Sequence, residues 1–392
     1  MGEKKIVSRN FNRIKPDSIN DYLEVGGYEA LKKARSMKRE EVVEEILKSG
    51  LRGRGGGGFP TGRKWKLVLQ EGGKEKFVIV NGDEGEPGAF KDREILEKNP
   101  HLLVEGAFIA AYAVGAEKIF FYIRGEYPFA QKLLKKAVVD AGDYSNGIKI
   151  EIRSGAGSYI CGEETALLES IEGKRGHPRV KPPFPTKKGL WERPTLVNNA
   201  ETLATVPEIV LEGGEWYSEI GNGEWKGTQL LSVNGAVEKP GVYEFEFGTS
   251  AEEVIETAGG VREEMGLKAV APGASSPLVP ARELSKKIEE IGGSGAFIVL
   301  SEEESIPEFC KSVAEFFFKE SCGKCVPCRL GVMRLLEFAE KRCESGLNEI
   351  DFQDFLELSR VMEATSLCGL GKSACVLMKS ALELFKEEFL RS

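Results

Sequence analysis

Cys322, Cys325 and Cys328 stand three residues apart, and Cys368 follows forty positions after the last of them. Three thiolates at C-x2-C-x2-C spacing reach three iron corners of one cubane, and a remote fourth closes it, the pattern of a [4Fe–4S] site. Structural zinc favours two separated ligand pairs instead. Lys324 and the backbone N–H groups of Gly369 and Gly371 lie beside these thiols in sequence, where they would donate to cluster sulfur and raise its potential. Of the eight cysteines, Cys161, Cys310, Cys343 and Cys375 have no partner at ligand spacing. Cys310 and Cys343 read as buried thiols, and Cys375, close behind Cys368, is the competitor for the fourth ligand position.

A second chemistry belongs to residues 51–65, LRGRGGGGFPTGRKW, where Arg52, Arg54, Arg63 and Lys64 border a stretch of main chain almost without side chains. Glycine permits positive φ and lets N–H groups approach a ligand directly, while the cations suit a phosphate. Gly53, Gly55 and Gly58 spell G-x-G-x-x-G, yet the segment before them reads as a helix, so the usual strand-first dinucleotide context is absent. Residues 154–159 form another glycine loop, leading to Cys161, Glu163 and Glu164, and Asp83, Glu84 and Glu86 follow the apolar run 77–80. Carboxylates accept from ribose hydroxyls and repel a phosphate at the same place, which implies a nucleotide with free 2′ and 3′ hydroxyls. Phe184 in KPPFPT and Trp191 offer stacking faces. Asn198, Asn199, Glu201 and Thr202 open a helix and could hold a phosphate or a ribityl chain. Each feature has a plainer alternative: a flexible linker, solvated charges, core aromatics, simple N-capping.

These groups need a scaffold. Helices are predicted over 28–35, 38–48 and 64–70, then strand 77–80, helix 101–114, strand 118–123, helix 128–139 and strand 148–152. Strand alternating with helix predicts a parallel sheet with helices on its faces, a Rossmann-like α/β domain over residues 1–225. Residues 226–302 read as a ubiquitin-like β-grasp module of scaffold or docking type, with no chemical groups of note. Residues 303–392 read as a four-helix bundle, with helices over 307–318, 329–341, 351–362 and 372–389. The 392 residues carry a net charge of −8, from 54 basic and 62 acidic side chains, which argues against nucleic acid or an anionic membrane as partner. The longest apolar run, 107–114, is too short to span a membrane and reads as one face of a buried helix. Without the apolar core of a signal peptide at the N-terminus, a cytoplasmic location is expected, where thiols bind metal more often than they pair.

GRGGGGFPTG followed by KW, NGDEGEPGAFKDR, GAGSYICGEETAL, KPPFPT with GLW, NNAET, and SCGKCVPC with a later SLCGLG occur in this order. Together they resemble the NADH-oxidising, flavin-bearing subunit of respiratory complex I and the related diaphorase subunits of NAD-linked or electron-bifurcating hydrogenases and formate dehydrogenases. The resemblance spans nearly the whole chain from about residue 20. It implies FMN, NAD(H) and a [4Fe–4S] cluster. Gly53, Arg54, Gly55, Lys64 and Glu84 would line FMN, with Asn81, Asp83, Asn198, Asn199 and Thr202 on its ribityl chain and phosphate. Phe59 and Phe184 would sandwich the adenine, and Glu86 and Glu164 would bind ribose hydroxyls beside Tyr159, Glu163 and Lys181. Cys322, Cys325, Cys328 and Cys368 match the cluster ligands. The partners implied are a small thioredoxin-like [2Fe–2S] subunit and a larger iron–sulfur subunit carrying the onward clusters, with no direct membrane insertion. Gly57 stands where complex I proteins more often have Ala, which leaves complex I and hydrogenase subtypes both open. No side chain is required as general acid or base, since hydride passes between cofactors. The alternatives are an enzyme preferring NADPH, against which Glu164 argues, and a nucleotide-binding scaffold whose cysteines hold zinc.

Overall fold

The computed structural model describes residues 3–72, 75–262 and 265–390. Four parallel strands form the first sheet: β1 (Phe77–Gly82), β2 (Lys118–Ile123), β3 (Lys149–Ser154) and β4 (Thr195–Asn199), in the order β3-β2-β1-β4. Alternate residues of these apolar strands feed two separate cores. Val78, Val80, Ile119, Phe121 and Leu196 pack under the helices of the N-terminal half. Ile79, Phe120, Tyr122 and Val197 pack with the C-terminal helices on the other face. Burial on both faces is why β1 and β2 read as continuous hydrophobic runs, whereas the edge strand β3, less buried, alternates apolar with charged residues.

The strand β4 departs from expectation, since Asn198 and Asn199 read as the opening of a helix. That helix, Ala200–Glu212, begins one residue later, capped by Asn199, whose Oδ1 accepts from Glu201 N at 3.0 Å. The pairing of β4 with β1 matters because the chain runs β1, β2, β3 towards one edge and then returns to the opposite side of β1. The order reverses between β1 and β4, and in open parallel sheets the crevice at such a reversal is where ligands bind.

The helix Pro100–Val114 is buried on nearly every side rather than on one face, with proline at its first turn and Gly115 in the left-handed region at its end. Gly106 sits where a Cβ would lie 1.9 Å from the Leu203 carbonyl oxygen, so only glycine lets this helix approach Ala200–Glu212 so closely. A further amphipathic helix, Lys91–Lys98, occupies a stretch for which the sequence predicts no element, and it buries Ile95 and Leu96.

The second sheet has five strands, in the order Val279–Pro280, Leu267–Ala271, Ala296–Ser301, Thr228–Gly235, Gly241–Glu246. Its strand Ala296–Ser301 runs parallel to Thr228–Gly235 and antiparallel to Leu267–Ala271. The C-terminal helices are Ile306–Glu320, Val326–Ser345 and Glu349–Thr365, followed by a fourth arm broken into Gly369–Ser373, Val376–Leu384 and Lys386–Phe389. The sequence predicts one helix over 372–389 for that arm; its first break falls at Ala374 and Cys375. Among the described residues no helix is long and apolar enough to cross a membrane.

Candidate functional site

A cavity of about 740 Å³ opens at the carboxyl ends of β1 and β4. Gly53, Gly55, Phe59, Lys64, Asn81, Asp83, Glu84, Glu86, Tyr159, Glu163, Glu164, Asn198 and Asn199 all line it. The glycine loop is closed at its base by Gly53 N donating to Phe59 O at 2.9 Å and Thr61 N to Leu51 O at 2.8 Å. A Cβ at Gly55 would come within 3.2 Å of the Asn199 Cβ, so a side chain there would press on Asn199.

The loop's arginines do not reach the cavity. Arg54 Nε donates to Thr228 O at 3.0 Å, its Nη2 to Lys226 O at 2.6 Å, and the guanidinium lies over the Phe247 ring. Arg52 pairs with Glu224 at 2.8 Å. Both cations therefore tie the loop to the second sheet and the turn before it, because those acceptors are close at hand. Lys64 does remain in the cavity, with Nζ 3.1 Å from Val197 O and 3.4 Å from Glu164. Thr202 is fully buried, and its Oγ1 accepts from Arg54 N at 2.9 Å, so it shapes the loop from behind. Asn198 accepts from Trp65 Nε1 at 2.9 Å. Asn81 Nδ2 donates to Gly162 O at 2.9 Å, tying the two loops together.

Acidic groups divide by environment. Burial pushes the Asp83 carboxyl up to about 7, and its Oδ2 is buried without a partner. Burial, reinforced by the Asp92 charge, likewise pushes Glu84 up to about 7, although it accepts from Asp92 N and Arg93 N at 3.1 Å. Burial also works against the Glu164 charge, but the ammonium groups of Lys64 and Lys181 outweigh it and hold this carboxyl below its ordinary range. Lys181 Nζ lies 2.8 Å from both Glu163 and Glu164, and Glu163 caps the helix Glu164–Ile171. Lys181 thus acts behind the two glutamates rather than on the cavity wall. Glu86 accepts from Tyr159 Oη at 2.6 Å and from Ser275 N at 3.0 Å. Phe59 is on the wall; Phe184 is 55% exposed and does not line the cavity.

Asp83 sets a pH dependence. An unfolded aspartate titrates near ~3.9, so between pH ~4 and ~7 the folded chain keeps a proton that the unfolded chain has lost. Stability then falls as pH rises through that window. The thermal midpoint of the flavin-free protein is expected to drop by several degrees from about pH 5 to about pH 8, and Asp83→Asn should flatten the slope. An unaltered slope in the variant would clear Asp83 of causing it.

Sequence reasoning missed several lining residues. Lys91 and Asp92 lie in the NGDEGEPGAFKDR segment, where nothing local marks them as facing a cavity. Ser275, Ser276, Gly293 and Ser294 come from the second sheet's loops, and Gly369, Leu370 and Lys372 from the C-terminal helices. The module read as chemically bare therefore forms part of the cavity wall. Its loops converge on the cavity only through long-range packing, which leaves no local pattern.

The four predicted ligand thiols, Cys322, Cys325, Cys328 and Cys368, line one small cavity together with Lys324, Ile160 and Leu370. Among the described residues no three His, Cys, Asp or Glu side chains are grouped as for a single metal ion. Burial pushes the Cys328 thiol up to about 11, so a positive counter-charge of the kind iron would supply is needed to draw this sulfur into the thiolate form. Cys368 faces the N–H groups of Leu370 and Gly371, while Lys324 Nζ is spent on Pro178 O at 2.7 Å. Cys375, the competitor, is buried elsewhere with Sγ 3.6 Å from Met362 Sδ. Ile160 and Leu370 line both cavities, so a wall of two side chains separates the thiols from the larger site.

Residues 46–208 match the Nuo51 FMN-binding domain, 229–292 the SLBB domain, and 308–392 the NADH-ubiquinone oxidoreductase-F iron–sulfur binding region. The chain is 47% identical over 387 residues to the NADH-quinone oxidoreductase F subunit of Aquifex aeolicus, covering 95% of this chain and 90% of that protein. It belongs to the NADH-quinone oxidoreductase-F family. The HndC subunit of the NADP-reducing hydrogenase of Solidesulfovibrio fructosivorans is 40% identical, over 98% of this chain and 82% of its own length. A chain of an NAD+-reducing [NiFe]-hydrogenase in the H2-reduced state superposes with a TM-score of 0.90 at 33% identity, covering 99% of this chain. This oxidoreductase-F homologue spans 66% of that hydrogenase chain's length. Both cofactor regions of the family are thus present, one around each cavity: an FMN-binding domain and a [4Fe–4S] region. The bare loop, the unpartnered Asp83 Oδ2 and the four convergent thiols fit those groups.

Proposed function

We propose that this chain is the electron-input subunit of an NADH-oxidising complex, taking hydride from NADH and passing single electrons to a partner iron–sulfur subunit. The observation that carries this reading is the shared wall of Ile160 and Leu370 between the nucleotide cavity and the four thiols. FMN bound there supplies the conversion of a two-electron donor into one-electron steps. Its binding would fall to Gly53, Gly55, Lys64, Asn81, Asp83, Glu84, Asn198 and Asn199, with Arg54 and Thr202 holding the loop. Glu86, supported by Tyr159, would accept from ribose hydroxyls of NADH, with Phe59 beside the adenine, while Phe184 lies outside the cavity wall. Glu164, kept charged by Lys64 and Lys181, would accept from the other ribose and repel a 2′-phosphate. Cys322, Cys325, Cys328 and Cys368 would ligate the cluster.

With divisions at about residues 225 and 302, the α/β part would hold most of the nucleotide contacts, the β-grasp part would add its cavity-wall loops to a docking role, and the helical part would serve electron exit. The partners would be a thioredoxin-like [2Fe–2S] subunit and a larger iron–sulfur subunit, in the cytoplasm or on the inner membrane face through those subunits. A complex I setting is supported by the NADH-quinone oxidoreductase relatives; a hydrogenase diaphorase is the second reading, favoured by the backbone match to the [NiFe]-hydrogenase chain.

The test is an anaerobic NADH titration of the purified chain followed by absorbance and EPR, with FMN, iron and zinc measured alongside. Flavin that bleaches with NADH, in protein holding about four irons per chain, supports the assignment. Zinc in place of iron, or bound flavin that NADH never reduces, overturns it in favour of a scaffold.

A further inference from the structure

The loop 292–295, Gly-Gly-Ser-Gly, leads into the second sheet's strand Ala296–Ser301, yet Gly293 and Ser294 line the nucleotide cavity. The Ser294 hydroxyl is buried and has no hydrogen-bond partner. A buried polar group left unpaired costs ~1–3 kcal/mol, so a hydroxyl kept in that state on a cavity wall points to a ligand atom. Its position is closely set. Gly293 has φ +94°, and a Cβ there would lie 2.2 Å from Pro272 O; Gly295 has φ +101°, and a Cβ there would meet the Lys91 stem at 2.5 Å. Only glycine fits on either side of this serine.

Ser294 lies directly beside the bare loop at this end of the cavity. A Cβ on Gly56 would lie 3.5 Å from the Ser294 Cβ, and the neighbouring Gly55 abuts Asn199, the N-cap of the 13-residue helix Ala200–Glu212. One end of the cavity thus gathers exposed main chain at 55–57, the first turn of a long helix and a free hydroxyl. Neutral N–H and O–H donors with a helix dipole behind them suit a phosphate better than a flavin ring or an adenine. The Asp92 carboxylate, which accepts from Asn199 at this end, is paired with the Lys91 ammonium at 2.8 Å, and Glu163 and Glu164 are gathered around Lys181.

We propose that Ser294 donates its hydroxyl to the phosphate of FMN, a role that presupposes flavin binding in this cavity. The β-grasp module then completes the cofactor site beside the glycine loop, and flavin affinity depends on how that module is seated.

The full chain, freed of flavin, is titrated with FMN and separately with riboflavin, which lacks the phosphate, and quenching of flavin fluorescence is followed. Ser294→Ala is expected to raise the FMN dissociation constant about tenfold, as for a lost hydrogen bond to a charged group, and to leave the riboflavin constant unchanged. Ser294→Asp sets a second negative charge against the phosphate and is expected to weaken FMN about a hundredfold while sparing riboflavin. Riboflavin also reports whether either variant is still folded at the site. Equal losses for the two flavins, or no loss for either, overturn the phosphate contact and leave the flavin site standing. Wild-type protein that takes up neither flavin brings down the flavin reading, and this contact with it.

Discussion

Cys328→Ser is expected to lose its iron, falling from about four atoms per chain to almost none, while keeping its flavin and its NADH-driven bleaching. The thiol is buried, lines the cavity shared with Cys322, Cys325 and Cys368, and has Ser321 Oγ 3.4 Å from its sulfur. A serine hydroxyl in the same apolar place ionises far less readily than a thiol, so one of the four ligand charges is missing. Metal binding is coupled to folding, and the helices around the cluster should melt earlier in the variant. Flavin chemistry survives because, among the described residues, the linings of the two cavities share only Ile160 and Leu370. Reduction of a one-electron acceptor that draws on the cluster is lost. Cys375→Ser is the matched control: an equally buried thiol, packed against Met362 outside the cavity. If Cys328→Ser retained its iron while Cys375→Ser shed it, the proposed ligand set would be wrong by one member.

Lys91→Met should be the most damaging single change to stability, costing ~3–5 kcal/mol. The Lys91 side chain is 2% exposed, and its Nζ lies 2.8 Å from both Asp92 and Glu201, themselves buried. Burial works against this ammonium, but the carboxylates of Asp92, Glu201 and Glu84 outweigh it and keep it protonated. Methionine preserves the stem and leaves those carboxylates without their cation, which is the expensive way to break a buried ion pair. The damage reaches the site, because Asp92 holds Asn199 Nδ2 at 2.6 Å and Asn199 backs the glycine loop at Gly55. Urea unfolding measures it. The exposed pair of Lys136 and Asp140, at 2.7 Å, gives the contrast, with a loss below ~1 kcal/mol on Lys136→Met. Similar losses for both substitutions would show that Lys91 is not a structural keystone of the cavity.

The residue types and spacings already contained the thiol set, both glycine loops and the carboxylates, because ligand spacing and bare backbone are local properties. Helices such as Arg39–Lys48 and Pro128–Asp140 were legible within a residue or two, since periodicity is local as well. The strand Thr195–Asn199 was not: five residues ending in two amides look like a helix cap, and only pairing with β1 makes them a strand. That pairing creates the reversal of strand order at which the cavity lies.

Charge identifies which residues are polar, not where they point. Arg54 reads as a phosphate cation, yet acceptors at Lys226 and Thr228, more than 170 positions away, turn it out of the cavity. The same long-range packing brings Ser275 and Ser294 in from a module that looked chemically empty, and sets Ile160 against Leu370 from widely separated parts of the chain. The sequence by itself determined which cofactors have ligands here; the tertiary structure decided which side chains face them and how thin the wall between them is. Local spacing encodes donor sets and periodicity, whereas orientation depends on partners brought together only when the sheets and helices pack.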